Sequence, residues 1–168
     1  MPGSPGRWYF KNLKIIPRQV EGVFLLTGVE CNVVDFDGTI DYVEDEHKNL
    51  DWVIASIHSS TLLTKEAPTV ESCTNAWLQI AKDPRVCVIG HCGQPKFKFD
   101  YERVIPEFGR GGKLVEINNN SFHVRRDAVI NCREIALLCK KHGVRVIVNT
   151  DSHFATQVGH ARSEERRV

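Results

Sequence analysis

Five short, nearly continuous apolar runs, separated by stretches of helical character, constrain this chain more than any other feature of its sequence. Runs of this kind predict parallel strands that are buried on both faces. The predicted strands are residues 22–30, 51–58, 85–91, 113–119 and 145–151. The predicted helices are residues 69–82, 100–110 and 126–143, and Pro106 is expected to weaken or bend the second of them. This alternation predicts an α/β fold with a parallel sheet.

The length and charge of the chain limit the kinds of protein it can be. Its 168 residues predict one domain, residues 1–168, with frayed segments at 1–7 and 160–168. Because 22 basic residues balance 21 acidic ones, no nucleic-acid or membrane partner is expected. The sequence shows no transmembrane run and no signal peptide. Its six cysteines form no C-x-x-C pair, so a reduced, cytoplasmic protein is predicted.

Side chains with nitrogen or oxygen ligand atoms stand at the ends of most predicted strands. Glu30, His58 and His91 end the first three strands, and Asp151 ends the fifth, with His153 two residues later. Binding sites in parallel α/β folds form at the carboxyl ends of the strands, so we expect these side chains to surround metal ions. Imidazole and carboxylate groups without thiolate suit zinc, manganese or iron.

Each of these residues also has an ordinary structural interpretation. A single histidine after a strand is usually a turn residue, Glu30 alone is compatible with a solvated acid, and Asp151 alone with a helix cap. Recurrence at the same structural position is what favours a metal site. Of the other histidines, we interpret His47 and His142 as surface residues, whereas His123 stays open because it follows the fourth strand.

Five segments of the chain together resemble a known family. In chain order they are GVECNV, DWVIASIH, IGHCGQPKF, LVEINNNSF and NTDSH. They resemble the successive motifs of the PHP (polymerase and histidinol phosphatase) superfamily, in particular its small bacterial metal-dependent phosphatases. The resemblance runs from about Trp8 to about Gly159. It implies a distorted (β/α)7 TIM-like barrel of parallel strands with outer helices, and hydrolysis of phosphate monoesters through a metal-bound hydroxide.

The resemblance also implies a role for each candidate ligand. Up to three divalent ions, commonly zinc with manganese as the alternative, would be bound. Glu30 would bridge two of them, and His58 and His91 would complete the coordination of one. Asp151 would bind the ion on the other side of Glu30, and His153 would bind the third ion. Glu30, Asp151 and His153 are therefore the expected catalytic residues, and a phosphorylated small molecule is the expected substrate.

The chain departs from the family at its beginning. The H-x-H motif and the further histidines of the family's first strands are absent, and the last residues do not resemble the family. We therefore expect an incomplete barrel, truncated at both ends, in which only the site of Glu30, His58 and His91 keeps all its protein ligands. Arg125 is a candidate phosphate ligand because a guanidinium suits phosphate oxygens, and a solvent-exposed helix start is the alternative.

Three functions are compatible with these patterns. The first is a PHP-type metal-dependent phosphoesterase. The second is a catalytically impaired remnant that still binds metal, and the third is an α/β domain that binds a small molecule without metal. Metal content separates the third function from the other two, and turnover of a phosphomonoester separates the first from the second.

Overall fold

The protein is described as a computed structural model that covers residues 7–124 and 127–158. Arg125, the candidate phosphate ligand, lies outside the described residues. The same is true of the termini for which fraying was predicted, apart from Arg7.

The described chain alternates between strands and helices. In chain order the elements are α1 (Arg7–Asn12), β1 (Gln19–Val20), β2 (Val23–Phe24), β3 (Gly28–Val33), α2 (Glu44–His47), β4 (Trp52–Ile57), α3 (Val70–Lys82), β5 (Val88–Ile89), α4 (Tyr101–Arg110), β6 (Leu114–Asn118), α5 (Ser121–Val124), α6 (Ala128–His142) and β7 (Val146–Asn149). Short 3-10 helices lie at Leu13–Ile15, Pro95–Phe97 and Ala155–Gln157.

Strands β3 to β7 form one five-stranded parallel sheet whose spatial order follows the sequence. Helices α3, α4 and α6 connect the strands from β4 onward, and α4 packs against both of its helical neighbours. The predicted α/β class and the parallel, sequential strand order are therefore confirmed. In this sheet β3 and β7 are the two outer strands, so the described residues do not close it into a barrel.

Local sequence signals set the limits of the helices. The Thr69 hydroxyl caps α3 by accepting the Ser72 backbone N–H at 3.0 Å. Helix α6 carries three basic residues in its last turn and ends at Gly143, whose φ of 68° is the left-handed conformation that favours glycine. Helix α4 continues through Pro106 to Arg110. The predicted helices are thus found within two residues of their predicted ends.

The predicted first strand, residues 22–30, is wrong as a single element. Val23 and Phe24 pair antiparallel with β1 across a turn in which Glu21 and Gly22 have φ values of 49° and 84°. Phe24 is 75% exposed, so this apolar run lies on the surface instead of in the core. The parallel strand begins at Gly28 and continues three residues past Glu30. Glu30 therefore lies inside a strand, and not at its end.

The two faces of the sheet differ in character. One face carries apolar side chains that pack under the helices, and these include Cys31, Val33, Ala55, Ile89 and Val115. The strand registers place a different set of residues on the opposite face. Its apolar side chains lie toward the amino ends of the strands (Trp52, Ile54, Val88, Leu114 and Ile147), and its polar side chains lie toward the carboxyl ends (Glu30, Asn32, Ser56, Glu116, Asn118 and Asn149). The helices are therefore held on one side of the sheet, and the candidate ligands lie in the polar part of the other side.

The interpretation of His47 as a surface residue is wrong. Its side chain is buried, and its ring packs against Phe10 of α1 and Tyr42 at centroid distances of 4.5 and 5.1 Å. The Val43 backbone N–H donates to His47 Nδ1 at 3.1 Å, and burial lowers the pKa of the imidazole. Helix α1, which the sequence did not predict, contributes the Phe10 ring to this packing. His142 is exposed, as expected.

Candidate metal centre

Three adjacent strands bring Glu30, His58 and His91 together on the polar face. Glu30 projects from β3, His58 follows β4 directly, and His91 follows β5 by two residues. His91 Nε2 lies 3.2 Å from Glu30 Oε1 and 3.0 Å from His58 Nε2, and His58 Nε2 lies 3.7 Å from Glu30 Oε1. One ligand atom from each residue therefore points at a common centre. Among the described residues this is the one cluster of three such groups whose atoms all lie within 4.8 Å of one another.

The size of this triangle fits a tetrahedral metal ion. Ligand bonds of about 2.0 to 2.1 Å place the ligand atoms of a tetrahedral zinc about 3.3 Å apart. The three measured separations of 3.0, 3.2 and 3.7 Å lie around that value. Two imidazoles and one carboxylate also form a donor set used by catalytic zinc sites, which keep a fourth position open. The exposed Glu30 side chain, with 41% of its surface accessible, leaves one side of the centre open.

The ring of His58 is held in one tautomer by a chain of hydrogen bonds from Asp41 through Asn32 of β3. Both Asp41 carboxylate oxygens accept from Asn32, one from its backbone N–H at 2.7 Å and the other from its side-chain amide at 2.8 Å. The Asn32 carbonyl oxygen is thereby turned toward His58 and accepts its Nδ1–H at 2.9 Å. The lone pair of His58 Nε2 consequently faces the centre, which is the orientation that metal binding needs.

His91 is the most constrained of the three residues. Its side chain is 6% exposed, and its φ of 25° lies in the left-handed region that residues with a Cβ rarely adopt. Its backbone N–H donates to Glu116 Oε2 at 2.6 Å, and the Gln94 amide donates to its Nδ1 at 2.5 Å. With Nδ1 as an acceptor, the Nε2–H of His91 donates toward Glu30 and His58.

These contacts keep Glu30 ionised. The hydrogen bond from His91 is the largest cause that lowers the pKa of the Glu30 carboxyl, to about 2, and the nearby charges of His91 and His58 act in the same direction. Partial burial opposes the shift and is outweighed. The centre therefore offers a carboxylate, and not a neutral acid, to a cation at any pH near neutrality.

The two remaining candidate ligands lie apart from this cluster. Asp151, with a φ of 50°, accepts a hydrogen bond from Asn120 at 3.3 Å. The His153 side chain is 70% exposed, and its Nδ1 lies 2.9 Å from the backbone oxygen of Asp151. The structure thus brings together Glu30, His58 and His91, whereas the ligand roles of Asp151 and His153 stay predictions.

Sequence reasoning missed the polar residues that hold the cluster. These are Asn32, Asp41, Gln94 and Glu116. A signal was present for two of them: Asn32 stands two positions from Glu30 on the same strand face, and Gln94 stands three positions after His91. Asp41 carried no such signal, because only the turn between Val33 and Ile40 brings it back to β3.

Comparison with known proteins identifies relatives of the whole chain. A probable phosphatase of Caldicellulosiruptor bescii is 39% identical over 168 residues, which cover all of this chain and 69% of that relative. A probable phosphatase of Caldanaerobacter subterraneus is 45% identical over 160 residues, and one of Acetivibrio thermocellus is 40% identical over 159. This chain belongs to the family of these probable phosphatases.

These relatives are named probable phosphatases, and this chain corresponds to a part of their length. The chain spans 65% of the length of the Acetivibrio thermocellus phosphatase and 62% of the Caldanaerobacter subterraneus one. A comparison with models of known protein families finds no match. Within the described residues, no helix has the length and apolar character needed to cross a membrane.

Proposed function

We propose that this protein is a metal-dependent phosphoesterase that hydrolyses phosphate monoesters of small molecules. The observation that carries the proposal is the convergence of Glu30 Oε1, His58 Nε2 and His91 Nε2 on one point of the polar sheet face. The relatedness to probable phosphatases supplies the class of reaction, and the donor set supplies the class of cofactor.

The three residues fit a divalent ion in charge as well as in geometry. A carboxylate and two neutral imidazoles leave a bound divalent ion with net positive charge, which attracts a phosphate dianion. Binding requires the lone pair of His91 Nε2, so its proton must leave. Gln94 can then reverse its amide, so that its carbonyl oxygen accepts a proton carried on His91 Nδ1. Zinc suits this set best, and manganese is the alternative.

The bound ion would activate a water molecule and neutralise charge on the phosphate. The residues of the chain supply orientation and access. The hydrogen bonds from Asn32 to Asp41 and from His58 to Asn32 fix the tautomer of His58, and burial fixes the orientation of the His91 ring. Glu30 lies on the open side, where its ionised carboxylate would hold the ion and can orient a water molecule by accepting a hydrogen bond from it.

We further place the chain in the PHP superfamily, as a single domain with an incomplete barrel. The parallel sheet with strands in sequential order is the feature that supports this. On this proposal Asp151 and His153 bind further ions, and Arg125 contacts phosphate. Each of the three can be tested by an alanine variant that lowers turnover, or the affinity for phosphate, without removing the first ion.

Hydrolysis of p-nitrophenyl phosphate tests the proposal directly. The protein is stripped with a chelator and assayed after addition of zinc or manganese. We expect turnover that depends on metal and falls at least about 100-fold in Glu30→Gln and His91→Ala, with His142→Ala as the matched surface control. Turnover that survives both the chelator and the two variants would overturn the proposal. Tight metal binding without turnover would favour the impaired metal-binding remnant.

A further inference from the structure

Glu116 is a buried acid on the polar sheet face that the proposed chemistry does not use. It lies on β6, and its residue is only 6% exposed. Among the described residues no lysine or arginine forms an ion pair with it. A buried carboxylate without a cation is costly unless donors surround it, so its contacts indicate what it is for.

The contacts of Glu116 join the two sides of the site. Oε2 accepts the backbone N–H of His91 at 2.6 Å, beyond the end of β5. Oε1 accepts the side-chain amide of Asn149 at 2.8 Å, on the last residue of β7. The Asn118 amide adds a longer contact of 3.5 Å to Oε2. One side chain on β6, which lies between β5 and β7, thus connects the segment that carries His91 with the segment leading to Asp151.

The backbone conformation of His91 is unfavourable and needs a contact that holds it. Its φ of 25° is unfavourable for a residue with a Cβ and persists only when the surroundings hold it. The direction of the His91 ring toward Glu30 and His58 depends on this backbone conformation. Because the N–H of His91 donates to Glu116, the carboxylate holds the conformation that directs the ring.

We propose that Glu116 is a positioning residue that holds His91 in its left-handed conformation and so sets the geometry of the metal centre; the part that concerns metal rests on the proposed function. The carboxylate accepts from both of its close partners, the His91 N–H and the Asn149 amide, and its negative charge strengthens both hydrogen bonds. Glutamine has the same shape but carries no charge, and it keeps both contacts only if Asn149 reverses its amide.

The experiment compares Glu116→Gln, the double variant Glu116→Gln/Asn149→Asp, and Glu102→Gln as a surface control with the same chemical change. In the double variant the amide at position 116 donates to the new carboxylate at position 149 and still accepts from His91, at unchanged net charge. The probe is Co²⁺, whose visible absorption reports coordination geometry, and amide hydrogen exchange of His91 is measured without metal.

We expect Glu116→Gln to weaken Co²⁺ binding at least about tenfold, change the Co²⁺ spectrum and accelerate exchange at His91. The double variant should recover affinity and spectrum to within about threefold of the wild type, and it carries the test alone if the single variant does not fold. Unchanged binding and exchange in Glu116→Gln, or no recovery in the double variant, would overturn the proposal. Failure of the wild type to bind Co²⁺, with the exchange pattern intact, would refute the metal function and leave the positioning role standing.

Discussion

At the scale of residues, Glu30, His58 and His91 meet at one point, and hydrogen bonds from other segments orient the two imidazoles. Glu30, His58 and His91 could be selected because chemically similar residues recur at neighbouring strand ends, and the structure brings them together. The groups that orient them come from contacts that depend on the folded chain. Asp41, nine residues from Asn32, reaches it only through the turn after β3.

The orientation of His58 can be tested at Asn32. Replacement of Asn32 by leucine removes the acceptor for His58 Nδ1–H while it keeps the volume of the side chain. We expect zinc affinity to fall about 10- to 100-fold, measured by competition with a chromophoric chelator. Asn75→Leu makes the same change at a half-buried amide on α3 that donates to Phe36 O, and it should leave affinity unchanged. Equal affinities for Asn32→Leu and the wild type would contradict this account of the tautomer.

The ionisation of Glu30 gives a prediction about pH. The hydrogen bond from His91 lowers the pKa of the Glu30 carboxyl to about 2, so its contribution to stability is complete above the ordinary pKa of 4.5 and is lost as pH falls toward 2. In metal-free His91→Ala we expect that pKa to return toward the ordinary value. Carboxyl ¹³C NMR at pH 4 should show Glu30 mostly ionised in the wild type and largely protonated in the variant. The same ionised fraction in both proteins would refute the coupling.

At the scale of elements, the three long helices and four of the five parallel strands could be predicted because their patterns and caps are local. The first predicted strand failed because an apolar run does not show whether it is buried. The φ values of 49° and 84° at Glu21 and Gly22 turn the chain back into a surface hairpin. Burial of β3 instead depends on pairing with β4, which the sequence of the run cannot reveal.

Strands β4 and β5 pack closely at Gly90, so the addition of one methyl group at this position should destabilise the protein. A Cβ at Gly90 would lie 2.1 Å from Ser56 Oγ and 2.9 Å from Ile54 Cγ2, so these two side chains must move, or β5 and the adjoining His91 must shift. We expect Gly90→Ala to reduce the free energy of unfolding by about 1 to 3 kcal/mol and to weaken zinc binding. Urea denaturation measures the first effect and zinc competition the second. Ser56→Gly added to Gly90→Ala should restore part of both, and a neutral Gly90→Ala would contradict the packing.

At the scale of the whole molecule, one sheet face is covered by helices and the other carries the site. Within residues 7–124 and 127–158 the helical layer does not extend over β7, where Val146 and Val148 lie on the helix-covered face but are 46% and 58% exposed. Composition and periodicity could predict the layering, because the strands are apolar and helices separate them. They could not predict how far the helices extend over the sheet, because that depends on packing between distant segments.

Substitutions at the exposed Val146 and Val148 should affect stability less than a substitution at the buried Val115 on the same face. We expect Val146→Lys/Val148→Lys to change the free energy of unfolding by no more than about 0.5 kcal/mol. The double variant should also scatter less light on heating, because lysines on an outer strand oppose association between strands. Val115→Ala, in the fully buried part of the same face, should cost about 1 to 3 kcal/mol. A large loss of stability in the lysine variant would mean that β7 is packed in solution.

Calorimetric titration with zinc measures metal binding at the cluster of Glu30, His58 and His91 without the need for a substrate. We expect the chelator-stripped protein to bind zinc tightly. Binding at this centre should be lost in His58→Ala and kept in His142→Ala, whose histidine is exposed at the end of α6. Zinc binding of equal affinity and stoichiometry in wild type and His58→Ala would contradict this expectation, since the cluster of Glu30, His58 and His91 would then not be the site.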